Sequence, residues 1–158
     1  PVDVITHFES VVLGELDLRL ESSAAAEFAA NTAKDEGFQV PKPHWFLSSR
    51  NVMTLGWAEG ISLNDLALID AAGHDRRVLG ARVLQLFLNH ALRDGFFHAD
   101  MHQGNLKVAA NGDIIAYDFG IMGRIDEYTR RVYAEILMGF IAKDYRRVAE
   151  VHFEAGYV

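Results

Sequence analysis

The sequence that decides the fold runs His98-Ala99-Asp100-Met101-His102-Gln103-Gly104-Asn105, continues through Leu106 to Ala109 and Ile114 to Tyr117, and closes on Asp118-Phe119-Gly120. Its first part is an irregular polar loop entered from Phe96 and Phe97. The two apolar runs flank Asn111-Gly112, a dipeptide suited to the positive φ angles of a tight turn, so they are predicted to pair as a hairpin. Pairing has a chemical consequence. Asn105 precedes the first strand and Asp118 follows the second, so the hairpin brings them to the same end. Two oxygen-bearing side chains, thirteen residues apart, become neighbours that could serve one cation.

Working outward, Gly95 stops a helix predicted over Arg76 to Arg93 and capped by Asp75. Its apolar positions Val78, Leu79, Val83, Leu84, Phe87, Leu88 and Leu92 form the expected buried face. Ser62 is expected to cap a shorter helix from Leu63 to about Ile69. Upstream, Val40 to Pro43 and Trp45 to Leu47 read as extended, and Val52 to Trp57 as a return strand after the turn Ser48 to Asn51. From Asp3 to Asp35 the spacing of Ile5, Phe8, Val12, Leu16 and Leu20 predicts one long helix, or two breaking near Gly14, ended by Gly37. Downstream, Asp126 to Phe153 reads as two helices parted near Lys143-Asp144. Helix, hairpin, helices, loop, hairpin, helices is an α+β order.

The 158 residues suffice for one sizeable core, and a half-hydrophobic, 23% charged composition is that of a globular chain. A formal charge of -7, with no basic cluster longer than a pair, excludes a broad nucleic-acid-binding face. Absence of cysteine removes disulfides, thiolate metal sites and cysteine nucleophiles. No run approaches the roughly 18 apolar residues of a membrane span, and no signal peptide is visible. The chain opens on Pro1 inside a helical pattern and is expected to be a piece of a longer protein.

Phosphoryl transfer from ATP asks the protein for metal ligands and for a group that orients the attacking hydroxyl. Protein kinases supply these from His-Arg-Asp, an Asn five residues after that Asp, and a second Asp in Asp-Phe-Gly. Here Asn105 lies five residues after Asp100, and Asp118 begins Asp-Phe-Gly. Asp118 and Asn105 are the expected Mg2+ ligands, and Asp100 is the expected catalytic acceptor of the nucleophile's hydrogen bond. His98 is expected to tie the loop to the Asp-Phe-Gly region, with His102 near the phosphates or Asp100.

The loop Phe97 to Asn105 resembles that of the UbiB/AarF-like atypical kinases, in which a small residue replaces the Arg of His-Arg-Asp. Aminoglycoside and choline kinases have a similar loop, so it does not choose among them. The discriminating resemblance is Glu15-Leu16-Asp17-Leu18-Arg19-Leu20-Glu21, similar to that family's Glu-x-Asp signature followed four residues later by a helix Glu. With the hinge-like Thr54 to Gly60, the resemblance runs from Glu15 to Gly123. It implies a protein-kinase-like fold, with residues 1-57 forming part of an N-lobe (a helix with the Glu-x-Asp motif and a hairpin) and 58-158 a mostly helical C-lobe. It further implies ATP and Mg2+ as cofactors, ATPase or small-molecule or lipid-related phosphotransfer, and a role in ubiquinone (coenzyme Q) biosynthesis. Glu21 would pair with a nucleotide-binding Lys, Glu15 and Asp17 would act near the nucleotide, and Glu59, within Trp57 to Gly60, would edge the adenine site.

The chain departs from that family at Met101 and Gln103, where prolines are usual, and it carries no Lys-x-Gly-Gln segment, alanine-rich loop or strand Lys. Its lysines are Lys34, Lys42, Lys107 and Lys143, none in that context, so the isolated chain is expected to bind nucleotide weakly or not at all. Expected partners are a lipid or quinone-precursor substrate and other ubiquinone-biosynthesis proteins. The expected location is cytoplasmic, at the inner-membrane face through segments outside this chain. Two alternatives stand beside the kinase reading: a pseudokinase-type regulatory or scaffold module, and a metal-dependent hydrolase using His98, Asp100 and His102.

Overall fold

The computed structural model describes residues 2–158, and the side chains of Ser10, Val11, Leu13 and Glu15 lie outside the described residues. The N-terminal helical region is two helices, α1 (Val2–Glu15) and α2 (Leu18–Asn31). They part at Asp17 rather than Gly14, because the Asp17 carboxylate accepts the Arg19 N–H and caps α2. The second helix closes at Thr32, well before Gly37, with the Thr32 hydroxyl donating to the Phe28 carbonyl at 2.8 Å. The expected stripe Ile5, Phe8, Leu16 and Leu20 is exposed. Ser22, Ala25 and Phe28 on α2 are buried instead. A helical period says which residues share a face; only a packing partner decides whether that face is covered.

Short strands follow: β1 (Phe38–Gln39), β2 (Ile61–Ser62), β3 (Phe96–His98), β4 (Leu106–Val108), β5 (Ile114–Ala116) and β6 (Met122–Arg124). The expected hairpin is β4–β5, antiparallel with Leu106 opposite Ala116 and Val108 opposite Ile114. Gly112 at φ 88° makes its turn. β1 joins the other edge of β5 in parallel and β2 the other edge of β4, giving the order β1-β5-β4-β2. β3 pairs antiparallel with β6. Strands this short carry no periodicity of their own, and partners distant in sequence define them. The expected hairpin across residues 40–57 is looser than a ladder. His44 N–H donates to Thr54 O at 2.8 Å and Gly56 N–H to Lys42 O at 3.0 Å, but Trp45–Leu47 is a 3-10 turn rather than extended chain.

Helix α3 (Leu66–Ala71) is capped by Asp65, which accepts the Leu68 N–H at 3.0 Å; Ser62, the expected cap, lies in β2. Asp75 caps α4 (Arg76–Asn89) as expected, accepting Arg77 and Val78 N–H at 2.7 and 3.2 Å. The end of that helix widens into a π-turn over His90–Asp94 before Gly95. Leu79, Leu86 and His90 form its buried side, whereas Val78 and Leu84, expected inside, are exposed. Helices α5 (Glu127–Ala142) and α6 (Tyr145–Glu154) break at Lys143, as expected, with Asp144 capping the second.

Phe28 of α2 is the hub of the core. Its ring lies 4.9 Å from His90, 5.6 Å from Phe38, and 6.1 Å from both Phe96 and Phe119. Phe119, the middle residue of Asp-Phe-Gly, is therefore a core residue against α2, and burying it fixes where Asp118 emerges. None of the described helices is long and apolar enough to cross a membrane.

Candidate functional site

The site is built at one end of β4–β5. Past the Leu106–Ala116 pair, Tyr117 N–H donates to the Asn105 carbonyl at 3.3 Å, so Asn105 faces Tyr117 and Asp118 is the next residue along. Asn105 is buried and joins the loop to this end. Its Nδ2 donates to the Asp100 carbonyl at 3.1 Å and to Asp100 Oδ2 at 3.2 Å. With the amide nitrogen engaged, its carbonyl oxygen is the group left for a ligand. Asp118 is exposed, and among the described residues its Oδ1 accepts only a local bond from Gly120 N–H at 3.1 Å. Asp100 is half-exposed. The structure thus brings Asp100 and Asn105 into contact and sets Asp118 beside them.

His98 does what a structural histidine does. It is buried at the end of β3, 5.9 Å from the Phe119 ring. Its Nδ1 accepts the Asp100 N–H at 3.1 Å and holds the loop, so its proton resides on Nε2. Burial holds this imidazole below its ordinary pKa, opposed by the Asp118 backbone and by the Asp118 and Asp100 carboxylates. Nε2 is buried without a well-formed hydrogen bond. His98 is turned inward by strand pairing, away from the exposed His102, so the three residues of the hydrolase alternative do not face one another. Among the described residues no three acidic or imidazole side chains converge as a metal site.

His102 lies outside, half-exposed. Its Nδ1 accepts the Gly104 N–H at 2.9 Å and its Nε2 lies 3.6 Å from Asp100 Oδ2. The Tyr117 hydroxyl donates to the Gly104 carbonyl. The sequence reading assigned Tyr117 no part in the site; its position just beyond β5, opposite the loop, was the signal for one.

Glu21 reaches the site from α2. Its Oε1 accepts the Phe119 N–H at 3.1 Å, so an acid of this helix grips the backbone of Asp-Phe-Gly directly. Glu27, further along α2, forms a bidentate pair with Arg124 of β6 at 2.7 and 2.9 Å. Asp17 is occupied by its own helix. Arg19 bonds its carboxylate at 2.6 and 2.8 Å and lowers its pKa to about 2. The Glu15 side chain lies outside the described residues. Glu59 is exposed on the connector before β2. Beside it Lys107 donates to the Ala58 carbonyl at 2.9 Å, its ammonium 5.2 Å from the Trp57 ring and 5.3 Å from that of Tyr117.

The ABC1 atypical kinase-like domain family matches residues 1–152. The Xylella fastidiosa (strain 9a5c) protein named Probable protein kinase UbiB is 37% identical over 164 residues, covering 100% of this chain and 30% of that protein. Its namesake in Xanthomonas euvesicatoria pv. vesicatoria (strain 85-10) is also 37% identical, with 100% of this chain and 29% of that protein covered. The chain thus spans about 30% of the length of these relatives. A solved Mycobacterium tuberculosis structure, Rv3197 in complex with erythromycin, superposes with a TM-score of 0.71 at 24% identity, covering 90% of this chain and 36% of that one. That likeness is one of fold.

Proposed function

The chain belongs to the ABC1 atypical kinase-like family, and on that footing we propose that it carries the catalytic half of an ATP- and Mg2+-dependent phosphotransferase or ATPase site. The observation that supports this most is the contact of Asn105 Nδ2 with Asp100 Oδ2 at 3.2 Å, at the end of the hairpin where Asp118 follows Tyr117, the backbone partner of Asn105. The donors fit the cation. An amide oxygen and an exposed carboxylate are hard oxygen ligands of the kind Mg2+ prefers, and among the described residues neither is paired with a protein cation. When bound, Mg2+ neutralises charge on the nucleotide's terminal phosphates. Asn105 and Asp118 would hold it.

Asp100 would accept the hydrogen bond of the attacking hydroxyl, from water or from an acceptor. Glu21 would hold the Asp-Phe-Gly backbone so that Asp118 keeps its place; the lysine partner implied by the resemblance is replaced, within this chain, by the Phe119 N–H. Glu15 and Asp17 near the nucleotide, and Glu59 at its base, remain parts of the same proposal. The UbiB name of the relatives supports a role in ubiquinone biosynthesis, with a lipid-related or quinone-precursor acceptor and other enzymes of that process as partners at the inner-membrane face.

The test is ATP hydrolysis by the full-length protein. Asp118→Asn and Asp100→Asn should each lower kcat by about a hundredfold or more, since the first removes a charge that would hold Mg2+ and the second the acceptor of the attacking hydroxyl's hydrogen bond. Unchanged turnover in either variant refutes the assignment.

A further inference from the structure

We infer that His102 is a positioning residue for Asp100. The inference rests on the reading of Asp100 as the group that receives the acceptor's hydrogen bond, and it adds a residue to that site. The loop holds His102 through three bonds, two to its backbone and one to its ring. His102 N–H donates to the Asp100 carbonyl at 2.8 Å, and Asn105 N–H donates to the His102 carbonyl at 3.0 Å. Gly104 N–H donates to the ring's Nδ1 at 2.9 Å. A neutral imidazole that accepts at Nδ1 carries its proton on Nε2, so the loop selects the tautomer as well as the rotamer.

That Nε2–H faces Asp100 Oδ2 at 3.6 Å. The same oxygen accepts from Asn105 Nδ2 at 3.2 Å. One bonded donor and a second within reach on the same carboxylate oxygen leave the other, Oδ1, with no protein donor among the described residues. A carboxylate gripped through one oxygen presents the second in a fixed direction, as a general base requires. The 3.6 Å separation exceeds a hydrogen bond, and about half an ångström closes it. Catalytic hydrogen bonds are commonly long before substrate arrives.

Two features of the loop reserve the space for this ring. Met101, between Asp100 and His102, packs against the core, which turns its two neighbours to the open side. A Cβ on residue 104 would lie 2.7 Å from His102 Cε1 and 2.9 Å from Nδ1, so only glycine lets the ring sit there while its N–H makes the bond. The Tyr117 hydroxyl on the Gly104 carbonyl then ties this turn to β5.

Two substitutions separate positioning from loop support. An Asn at 102 can accept the Gly104 N–H but has no donor where Nε2 was; a Gln places an N–H donor there. In the full-length protein His102→Asn should leave the KM for ATP unchanged and lower kcat about ten- to a hundredfold, and His102→Gln should recover most of the loss. Independently of turnover, nitrogen NMR of the unaltered protein should show His102 protonated at Nε2 and bare at Nδ1, a preference that Gly104→Ala removes. Full kcat in His102→Asn, or a ring protonated at Nδ1, overturns the inference. Asp100→Asn in the same assay separates the two readings. If it is active, the site assignment falls; if it is inactive while His102→Asn is not, only the role of His102 falls.

Discussion

Phe28→Ala should cost about 3–5 kcal/mol of folding stability, because Phe28 joins the helix that reaches the site to the aromatic core. Phe28 has 0% exposure and four ring neighbours within 6.1 Å, including Phe119. A buried Phe removes about 200 Å2 from water, and about 25 cal/mol per Å2 gives roughly 5 kcal/mol. Single domains have about 5–15 kcal/mol in hand, so the variant should lose roughly a fifth or more of its stability. Phe28→Leu keeps most of the volume but loses the edge-to-face contacts, and should cost about 1–2 kcal/mol. Phe46, 103% exposed on the 40–57 hairpin, is the internal control: Phe46→Ala removes the same atoms and should cost under about 0.5 kcal/mol. Urea unfolding followed by far-ultraviolet circular dichroism is the assay, since Trp45 and Trp57 are both exposed and tryptophan fluorescence would respond weakly. Equal midpoints for Phe28→Ala and Phe46→Ala would show that α2 does not carry the core and that Phe119 is not seated against it.

Asp75→Ala should cost about 1 kcal/mol in the same experiment, while Asp75→Ser keeps most of it, because Asp75 accepts two first-turn N–H groups of α4; equal losses would argue against capping. Stability should also fall as pH drops from 7.5 to 5.5. Burial lowers the pKa of His90 and of His98 in the folded protein, so protonation favours the unfolded chain; their contribution is complete above the ordinary imidazole value near 6.5 and is lost as pH falls towards the folded values. Asp35, held low by Arg93, and Asp17, at about 2, lose their contributions only as pH falls below the ordinary carboxylate range, so they do not mask this window. A urea midpoint that is flat or rises towards pH 5.5 would refute the argument.

The site was the most legible part of the chain. Asp100, Asn105 and Asp118 lie on a loop, a turn and two short strands whose geometry is local: Asn111-Gly112 sets the hairpin and the hairpin sets the neighbours. Capping at Asp75 and the break at Lys143 were legible for the same reason, since each depends on residues within one turn. The burial of Val78 and Leu84 and the cap at Ser62 differ from expectation, because each depends on what lies opposite.

Sequence by itself determined that the hairpin forms and which segments meet at its end; the register, with a three-residue loop from 110 to 112 that sets Asn105 opposite Tyr117, was read from the structure. It also determined the family, through loop and helix motifs whose spacing reflects that register. Only the tertiary structure decided the partners: Glu21 on the Phe119 backbone, His98 turned inward, His102 aimed at Asp100. The first two follow from packing α2 against Asp-Phe-Gly and pairing β3 with β6, contacts between segments far apart in the chain, and the third from the irregular path of the loop that those contacts hold. Local energetics cannot rank such contacts, since each is worth about 1 kcal/mol and depends on every other being made.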